Sequence, residues 1–348
     1  MRAGDAGVDG ARSRVTISDV ARAAGVSVGT VSKALNGRGQ LRPQTRTAVR
    51  EAADRLGFRA NSLARGLLSG RSYTVGLITS DSFGRFSLPV MLGAEDALAA
   101  NQMSVFLCDT RDDPVREQHY VATLTARQVD GFIVTSRLSR SRPPLELTAR
   151  RPVVYVRTRS TDTGDVSVVS DDVAGGRLAV EYLLAIGRRH VAHVTGPQRH
   201  RSATDRVLGA TAALADAGTA LVAGRPLYGE WSEEWGRQAV GVALAADPDL
   251  DAVSCGSDQV ARGVIDGLRE AGRSVPADVA VVGYDDWDVM ATGRIPMLTT
   301  VDPELSTIGR RAGQLLLAAL DGMPEPGVHV TTPRLVVRQS TASAGHRR

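Results

Sequence analysis

From residue 73 onward the chain alternates two hydrophobic periods. Continuous apolar runs of strand length, TVGLITSD (74–81), MSVFLCDT (103–110), GFIVTS (131–136), PVVYVR (152–157), HVAHVTG (190–196), AVSCGSD (252–258) and VAVVGYDD (279–286), are separated by stretches of helical period. The clearest of those are LPVMLGAEDALAAN (88–101), GGRLAVEYLLAIG (175–187), RVLGATAALADAG (206–218) and ARGVIDGLREAG (261–272). Strands apolar on both faces and joined by helices belong to parallel sheets covered on both sides, so residues 73–340 read as a doubly wound α/β body. The units are too many for one compact sheet. The pattern predicts two Rossmann-like lobes, the chain leaving the first near Arg157–Thr163 and returning near Thr299–Arg310. Such folds bind ligands between lobes, at the carboxyl ends of the strands. Residues 341–348 form a tail without leucine heptads, which favours a dimer over a tetramer tied by a terminal coiled coil.

Upstream of residue 73 the pattern changes. Ile17, Val20, Ala21 and Ala24 recur at helical spacing and stop at Gly25, where a tight turn needs positive φ. Val26 can plug the angle between two helices. Ser27 is a good N-cap, its hydroxyl accepting from exposed backbone amides. The next helix, from about Val28 to Leu35, turns Val31, Ala34 and Leu35 inward and Val28, Gly29, Thr30, Ser32 and Lys33 outward, and Asn36-Gly37 ends it. A third helix starts at Pro43, carries Ala48, Val49, Ala52, Ala53 and Leu56 on one face, and ends at Gly57. Helix, glycine turn and capped second helix make residues 14–59 a three-helix helix-turn-helix domain. On its outward face Thr30 and Ser32 can donate to phosphates or base edges, Val28 can touch a thymine methyl, and Lys33 can reach guanine acceptors. Residues 1–13, rich in Gly, Asp and Arg, read as a disordered leader without the apolar segment of a secretory signal.

Charge supports this division. The formal net charge is +4, yet residues 1–72 hold thirteen basic against five acidic side chains, leaving the rest of the chain net acidic. A small basic head suits a polyanion and the larger body does not. The two cysteines, Cys108 and Cys255, lie far apart in apolar runs and read as buried free thiols, which places the chain in the cytoplasm. No apolar run reaches the ~18 residues that a membrane helix needs.

Between head and body, Asn61–Leu67 reads as a short helix opened by an Asn cap. It is too short to persist alone in water, and Gly66 weakens it further. From Val15 to Phe58, through VTISDVARAAGVSVGTVSKALNG, TR and ADRLGF, the chain resembles the lactose-repressor family of bacterial transcription regulators, and the resemblance extends to about Val337. It implies that Val28, Gly29 and Lys33 read bases with Ile17 beside them, and that Ser27, Thr30, Ser32 and Asn36 complete the DNA-binding surface. Gly29 has no side chain, so half of the usual reading pair is blank. The resemblance further implies that residues 60–72, with Asn61 and Ala64, form a hinge that folds on the operator, and that Leu67 wedges into the minor groove. Arg42 stands where the family often has a capping Ser, which predicts a weaker start to the third helix.

In the body, Arg206 reads as part of an Arg-x-x-Gly turn opening a helix, with a fork of donors for sugar hydroxyls. Asp285, ending the GYDD strand, can accept a pair of hydrogen bonds, and Trp231 offers a flat face to a sugar ring. The plainer alternatives are a structural Arg206–Asp285 ion pair and a core Trp231. The body resembles the periplasmic-binding-protein-like sensor of the same family, which implies that these three residues are effector contacts. The same resemblance adds Ser257 (where Asn is commoner), Arg157 (where Asp is frequent) and Arg85-Phe86 at the first-lobe rim, and sets Pro303 where some members have a polar contact. Two cations in a cleft mean either an acidic or phosphorylated ligand or lobe-closing ion pairs, and both remain open.

Enzyme chemistry finds no foothold. The acid pairs Asp171-Asp172 and Asp285-Asp286 lack a companion His cluster and, as neighbours on a strand, point to opposite faces, and His190 and His193 face opposite ways on a strand too. There is no Walker loop, dinucleotide glycine fingerprint or nucleophile elbow, so neither cofactor, metal nor catalysis is expected. The expected function is a sequence-specific repressor that binds a palindromic operator as a homodimer in the nucleoid. A small carbohydrate effector in the cleft would shift operator affinity through lobe closure, with a protein co-repressor as the rival controlling partner.

Overall fold

The structure is a computed structural model and describes residues 15–35, 40–58, 71–137, 139 and 141–342. The expected DNA contacts Asn36, Asn61, Ala64 and Leu67 lie outside them, as does the leader. The chain divides into two compact units, at Ser72–Tyr73.

The head contains α1 (Ile17–Ala24), α2 (Val28–Leu35) and α3 (Pro43–Leu56). Thr16 starts α1 by a reciprocal cap: its N–H and hydroxyl donate to the Asp19 carboxylate at 2.9 and 2.6 Å, and the Asp19 N–H returns to the hydroxyl. Gly25, at φ 66, turns the chain so that the Val26 N–H reaches the Ala21 carbonyl at 3.1 Å. The Ser27 hydroxyl accepts the Thr30 N–H at 3.1 Å and opens α2. Arg42 supplies no side-chain cap to α3, whose start rests on the fixed φ of Pro43. Val20, Ala21, Val31, Ala34, Val49, Ala52 and Ala53 form a core of small side chains with Phe58 packed against it.

The body opens with β1 (Thr74–Thr79), α4 (Ser87–Ala99), β2 (Ser104–Asp109), α5 (Pro114–Ala126), β3 (Gly131–Thr135), β4 (Ser141–Arg142), β5 (Val153–Val156), β6 (Arg159–Ser160) and β7 (Val166–Ser170). It continues with α6 (Asp172–Ala185), β8 (Val191–Thr195), α7 (Arg201–Asp216), β9 (Leu227–Tyr228), α8 (Glu233–Ala246), β10 (Ala252–Cys255), α9 (Asp258–Glu270), β11 (Ala280–Tyr284), α10 (Asp288–Ala291) and β12 (Thr299–Asp302). It closes with α11 (Leu305–Leu320), β13 (Gly327–Thr331) and β14 (Arg334–Val336). One sheet, in the order β13-β7-β5-β3-β1-β2, is parallel throughout. The other, β14-β12-β11-β10-β8-β9, is parallel except for β14. These are the two doubly wound lobes that the hydrophobic pattern predicts.

The crossings differ from expectation. Val154 of β5 pairs with Val166 of β7, so the chain does not leave the first lobe at Arg157–Thr163. That polar stretch only carries β6 past β4, and the crossing comes after β7, between Ser170 and Asp172. The return falls between β12 and α11, within the expected Thr299–Arg310. A third crossing, from β13 to β14, was not anticipated. Each lobe is covered on both faces. In lobe 1, α4 and α11 lie on one side and α5 on the other. In lobe 2, α8 and α9 oppose α6 and α7. A Cβ on Gly176 of α6 would stand 2.1 Å from the Arg206 carbonyl oxygen, and one on Gly209 of α7 would stand 1.9 Å from that of Val173. Glycine on both helices permits the close crossing that sets Asp172 beside Arg206. No helix among the described residues is long and apolar enough to cross a membrane.

Candidate DNA-reading face and ligand cleft

The head presents a face of mostly small side chains. Val31 and Ala34 of α2 are buried, while Ser27, Val28, Gly29 and Lys33 are exposed and Thr30 and Ser32 are half-buried. The space over Gly29 is open, the nearest atom to a Cβ there being Ser27 Oγ at 3.8 Å. The Ser27 and Thr30 hydroxyls bond each other at 2.9 Å. Ile17 is half-buried against the head core, so packing claims part of its side chain. A helix with so little standing off its surface can approach a major groove closely.

The cleft lies between the lobes, where β1, β5 and β7 on one side and β11 on the other end. Arg85, in the loop after β1, donates to Asp285, just beyond β11, and both side chains are nearly buried. Its guanidinium also lies 4.8 Å from the Phe86 ring and 4.5 Å from that of Trp287. Arg206 does not sit in an opening turn, because α7 begins at Arg201. It is held inside the helix, donating to Asp172 at 2.9 Å and to the Gly256 carbonyl at 2.5 Å. Its plane lies 3.5 Å over the Tyr284 ring, with Asp285 3.9 Å away. Asp285 and Asp286 adopt φ of 108° and 47°, uncommon for residues with a Cβ. They stand past the strand, so opposite facing on a strand does not describe them. The same holds for Asp171 and Asp172, which cap and begin α6, and for His190, which precedes β8.

Arg157 follows β5 at φ 60. It donates to the Ser136 carbonyl at 2.8 Å and covers the Phe86 ring at 3.7 Å. Burial pushes its guanidinium down to about 10. The start of α9 carries Asp258, fully buried, which accepts the Thr300 hydroxyl at 2.5 Å and the Trp287 N–H at 2.7 Å. Burial pushes this carboxyl up to about 8.

The structure thus brings together Arg85, Phe86, Arg157, Arg206 and Asp285. Ser257 is committed as the cap of α9, accepting the Val260 N–H at 3.2 Å. Trp231 is committed elsewhere: its ring lies flat over Gly196, where a Cβ would approach to 2.1 Å, and its N–H donates to His200 at 2.8 Å. Sequence reasoning missed Asp172, Trp287, Tyr284 and Asp258. Asp172 had a signal in the paired acids, weighed only as metal or acid–base chemistry. The lobes close tightly here. The cavity lined by Ser139, Arg157, Ser170, Asp172, Arg206 and Asp285 has a free volume of about 20 Å³, room for a water molecule and not for a sugar ring. No group of three metal-ligating side chains occurs among the described residues.

Comparison with known proteins gives this geometry its family. A model for bacterial regulatory proteins of the lacI family matches residues 16–61, and one for a periplasmic binding protein-like domain matches residues 180–341. The HTH-type transcriptional regulator CelR of Thermobifida fusca is 34% identical, with 94% of this chain and 99% of its own covered. The chain belongs to the LacI family. Catabolite control protein A of Priestia megaterium is 32% identical over 94% of this chain and 99% of its own. Among solved structures, a CelR–cellobiose complex matches with a TM-score of 0.65 at 31% identity, covering 94% of this chain and 100% of that one. A lac repressor dimer bound to operator and the anti-inducer ONPF matches at 0.71 and 27% identity, covering 95% and 100%. LacI-family members are DNA-binding transcription regulators, not enzymes.

Proposed function

We propose that this LacI-family regulator is a repressor that binds a palindromic operator as a homodimer and is switched by a small hydroxylated ligand between its lobes. The observation that carries this reading is the Arg85–Asp285 contact, which ties the lobes across the mouth of the cleft. A ligand can enter only by exchanging its own polar groups for that contact, so binding and lobe geometry are linked. Relatives solved with cellobiose and ribose support a carbohydrate. Exposed Leu88 and Leu92 on α4 and Val289 and Ile295 on lobe 2 offer each lobe apolar side chains for a second copy. Val28, Thr30, Ser32 and Lys33 read the major groove, with Ile17, Ser27, Gly29 and Asn36 at its edge. The hinge residues Asn61, Ala64 and Leu67 contact the DNA, and the regulator works at the chromosome, in the cytoplasm.

Selection of binding sites from random duplexes tests the reading. The expected outcome is two inverted half-sites, with an affinity that falls steeply with salt. A single asymmetric site would sink the dimer, and a flat salt response would sink the DNA contacts. Thermal melting against a sugar panel, with and without the selected duplex, tests the sensor: a sugar that stabilises the free protein should change its affinity for the duplex. Stabilisation without that change would separate ligand binding from control.

A further inference from the structure

We propose that the cleft's ligand carries an anionic group, a carboxylate or a phosphate, received by Arg157 and Ser170. This rests on the cleft being the ligand site and adds the charge of what it takes. Hydrogen-bond accounting leads there. The acceptors of the cleft are already engaged: Asp172 holds Arg206, and Asp285 holds Arg85. Asp81 accepts the Phe86 and Ser87 N–H groups at 2.7 and 2.9 Å where α4 begins, Asp258 is taken by Thr300 and Trp287, and Asp286 pairs with Arg338 at 2.7 Å. Donors are left over. Arg157 meets a carbonyl and an aromatic face, and pairs with no carboxylate among the described residues. The Ser170 hydroxyl is buried without a hydrogen-bond partner. Arg157 and Ser170 line the same cavity. An adjoining recess shares Ser139, Ser170 and Asp172 and adds Arg159 and Arg201; of these Arg201 is paired to Asp205 at 3.1 Å.

A cation drawn out of water without a directly paired carboxylate is costly, because the more distant Asp285 and Asp172 replace only part of the solvation it loses. The chain also holds Arg157 at a backbone angle that side chains other than glycine rarely adopt. Both costs fall on one residue, at the strand end where ligands of this architecture sit, and an anion there would complete the guanidinium. A polyol hydroxyl could accept from Arg157 and Ser170 but would also have to donate, and the carboxylates Asp172 and Asp285 are spent on the cleft's own arginines, whereas an anion only accepts.

The test uses the full chain in thermal melts at constant ionic strength, with inorganic phosphate and acetate each replacing chloride. At least one should raise the melting temperature in a saturable way, and the arm that responds identifies a phosphate or a carboxylate. Arg157→Met should weaken that response at least tenfold, and Arg157→Lys should retain part of it. An anion response in Arg157→Met equal to the wild type would come from elsewhere, the basic head included, and would overturn the proposal; so would no response in either arm. Glucose, ribose and cellobiose are run beside them. A neutral sugar that stabilises wild type and Arg157→Met equally, but not Asp285→Asn, would overturn the anionic ligand and leave the cleft reading standing.

Discussion

The outward face of α2 and the floor of the cleft are built on opposite plans. On α2 most outward groups are short, and at its start the Ser27 and Thr30 hydroxyls bond each other. In the cleft the carboxylates of Asp172 and Asp285 already hold the protein's own arginines, and the Arg85–Asp285 pair even joins the lobes. A surface that meets a large, preformed, hydrated partner gains by staying bare, since each phosphate or base edge brings its own hydrogen bonds. A cavity that excludes water satisfies most of its charges internally, because an unpaired one is costly, and exchanges partners when a ligand comes. The difference predicts where each region breaks: the head through its core, the cleft through its charges.

The largest effect is expected from Val31→Asp. Val31 is fully buried in a core of seven small residues, so an ionised carboxylate there meets only apolar neighbours, and a domain of that size has few kcal/mol to lose. Affinity for the selected duplex should fall at least ~100-fold while the main melting transition holds, since no head residue belongs to the clusters that stabilise the lobes. Asp285→Asn should follow. Breaking a buried pair from one side leaves Arg85 without its counter-ion and costs about 3–5 kcal/mol. Melting should drop on the order of 10 °C. Adding Arg85→Met to Asp285→Asn should recover part of the loss, because removing both partners strands neither. If the double variant melts below the single one, the pair is not the coupling described.

How much of this was legible without coordinates follows the same contrast. The head's elements were readable because Gly25, Ser27, Pro43 and Gly57 each do one local job that residue chemistry dictates. The sheets were readable as apolar runs, and the cation-plus-acid set Arg85, Arg157, Arg206 and Asp285 did meet. The first crossing was misplaced because Arg157–Thr163 is polar, while β7 behind it is a buried strand of only five residues, VSVVS. Partner choice was not legible. Whether Arg85 awaited a ligand or closed the lobes depends on a residue 200 positions away, and Trp231's role depends on Gly196 making room for its ring. Asp172 became visible as a partner only once α6 and α7 crossed at their glycines.

A pH series sharpens the cleft side with a smaller effect. Asp258 keeps its proton in the folded protein up to about 8, against 3.8 unexposed to the fold. Its contribution is therefore complete below the unfolded value and is lost as pH rises toward the folded one. His193 acts in the other direction: buried and pushed down to about 4 from 6.5, it costs stability as pH falls through that window. Wild type should melt highest at mildly acidic pH. Asp258→Asn cannot ionise, so its melting temperature should gain on wild type steadily from pH 5 to pH 8. A constant difference across that range would mean that Asp258 is ionised throughout.

The smallest effect on stability, and the most informative for the head, is expected from Gly29→Ala. Nothing lies within 3.8 Å of the new methyl except the Ser27 hydroxyl, and the backbone there is helical, not left-handed. Alanine should therefore be neutral or add up to about 1 kcal/mol to the head. If the bare face works by close approach, the methyl changes the base preference at one position in each half-site and leaves the other positions alone, which repeated selection from random duplexes would resolve. An unchanged preference would mean that α2 does not bring Gly29 to a base edge. A uniform loss across all sequences would mean that the methyl lifts the whole helix, so that the glycine serves docking depth and Val28, Thr30 and Lys33 carry the reading alone.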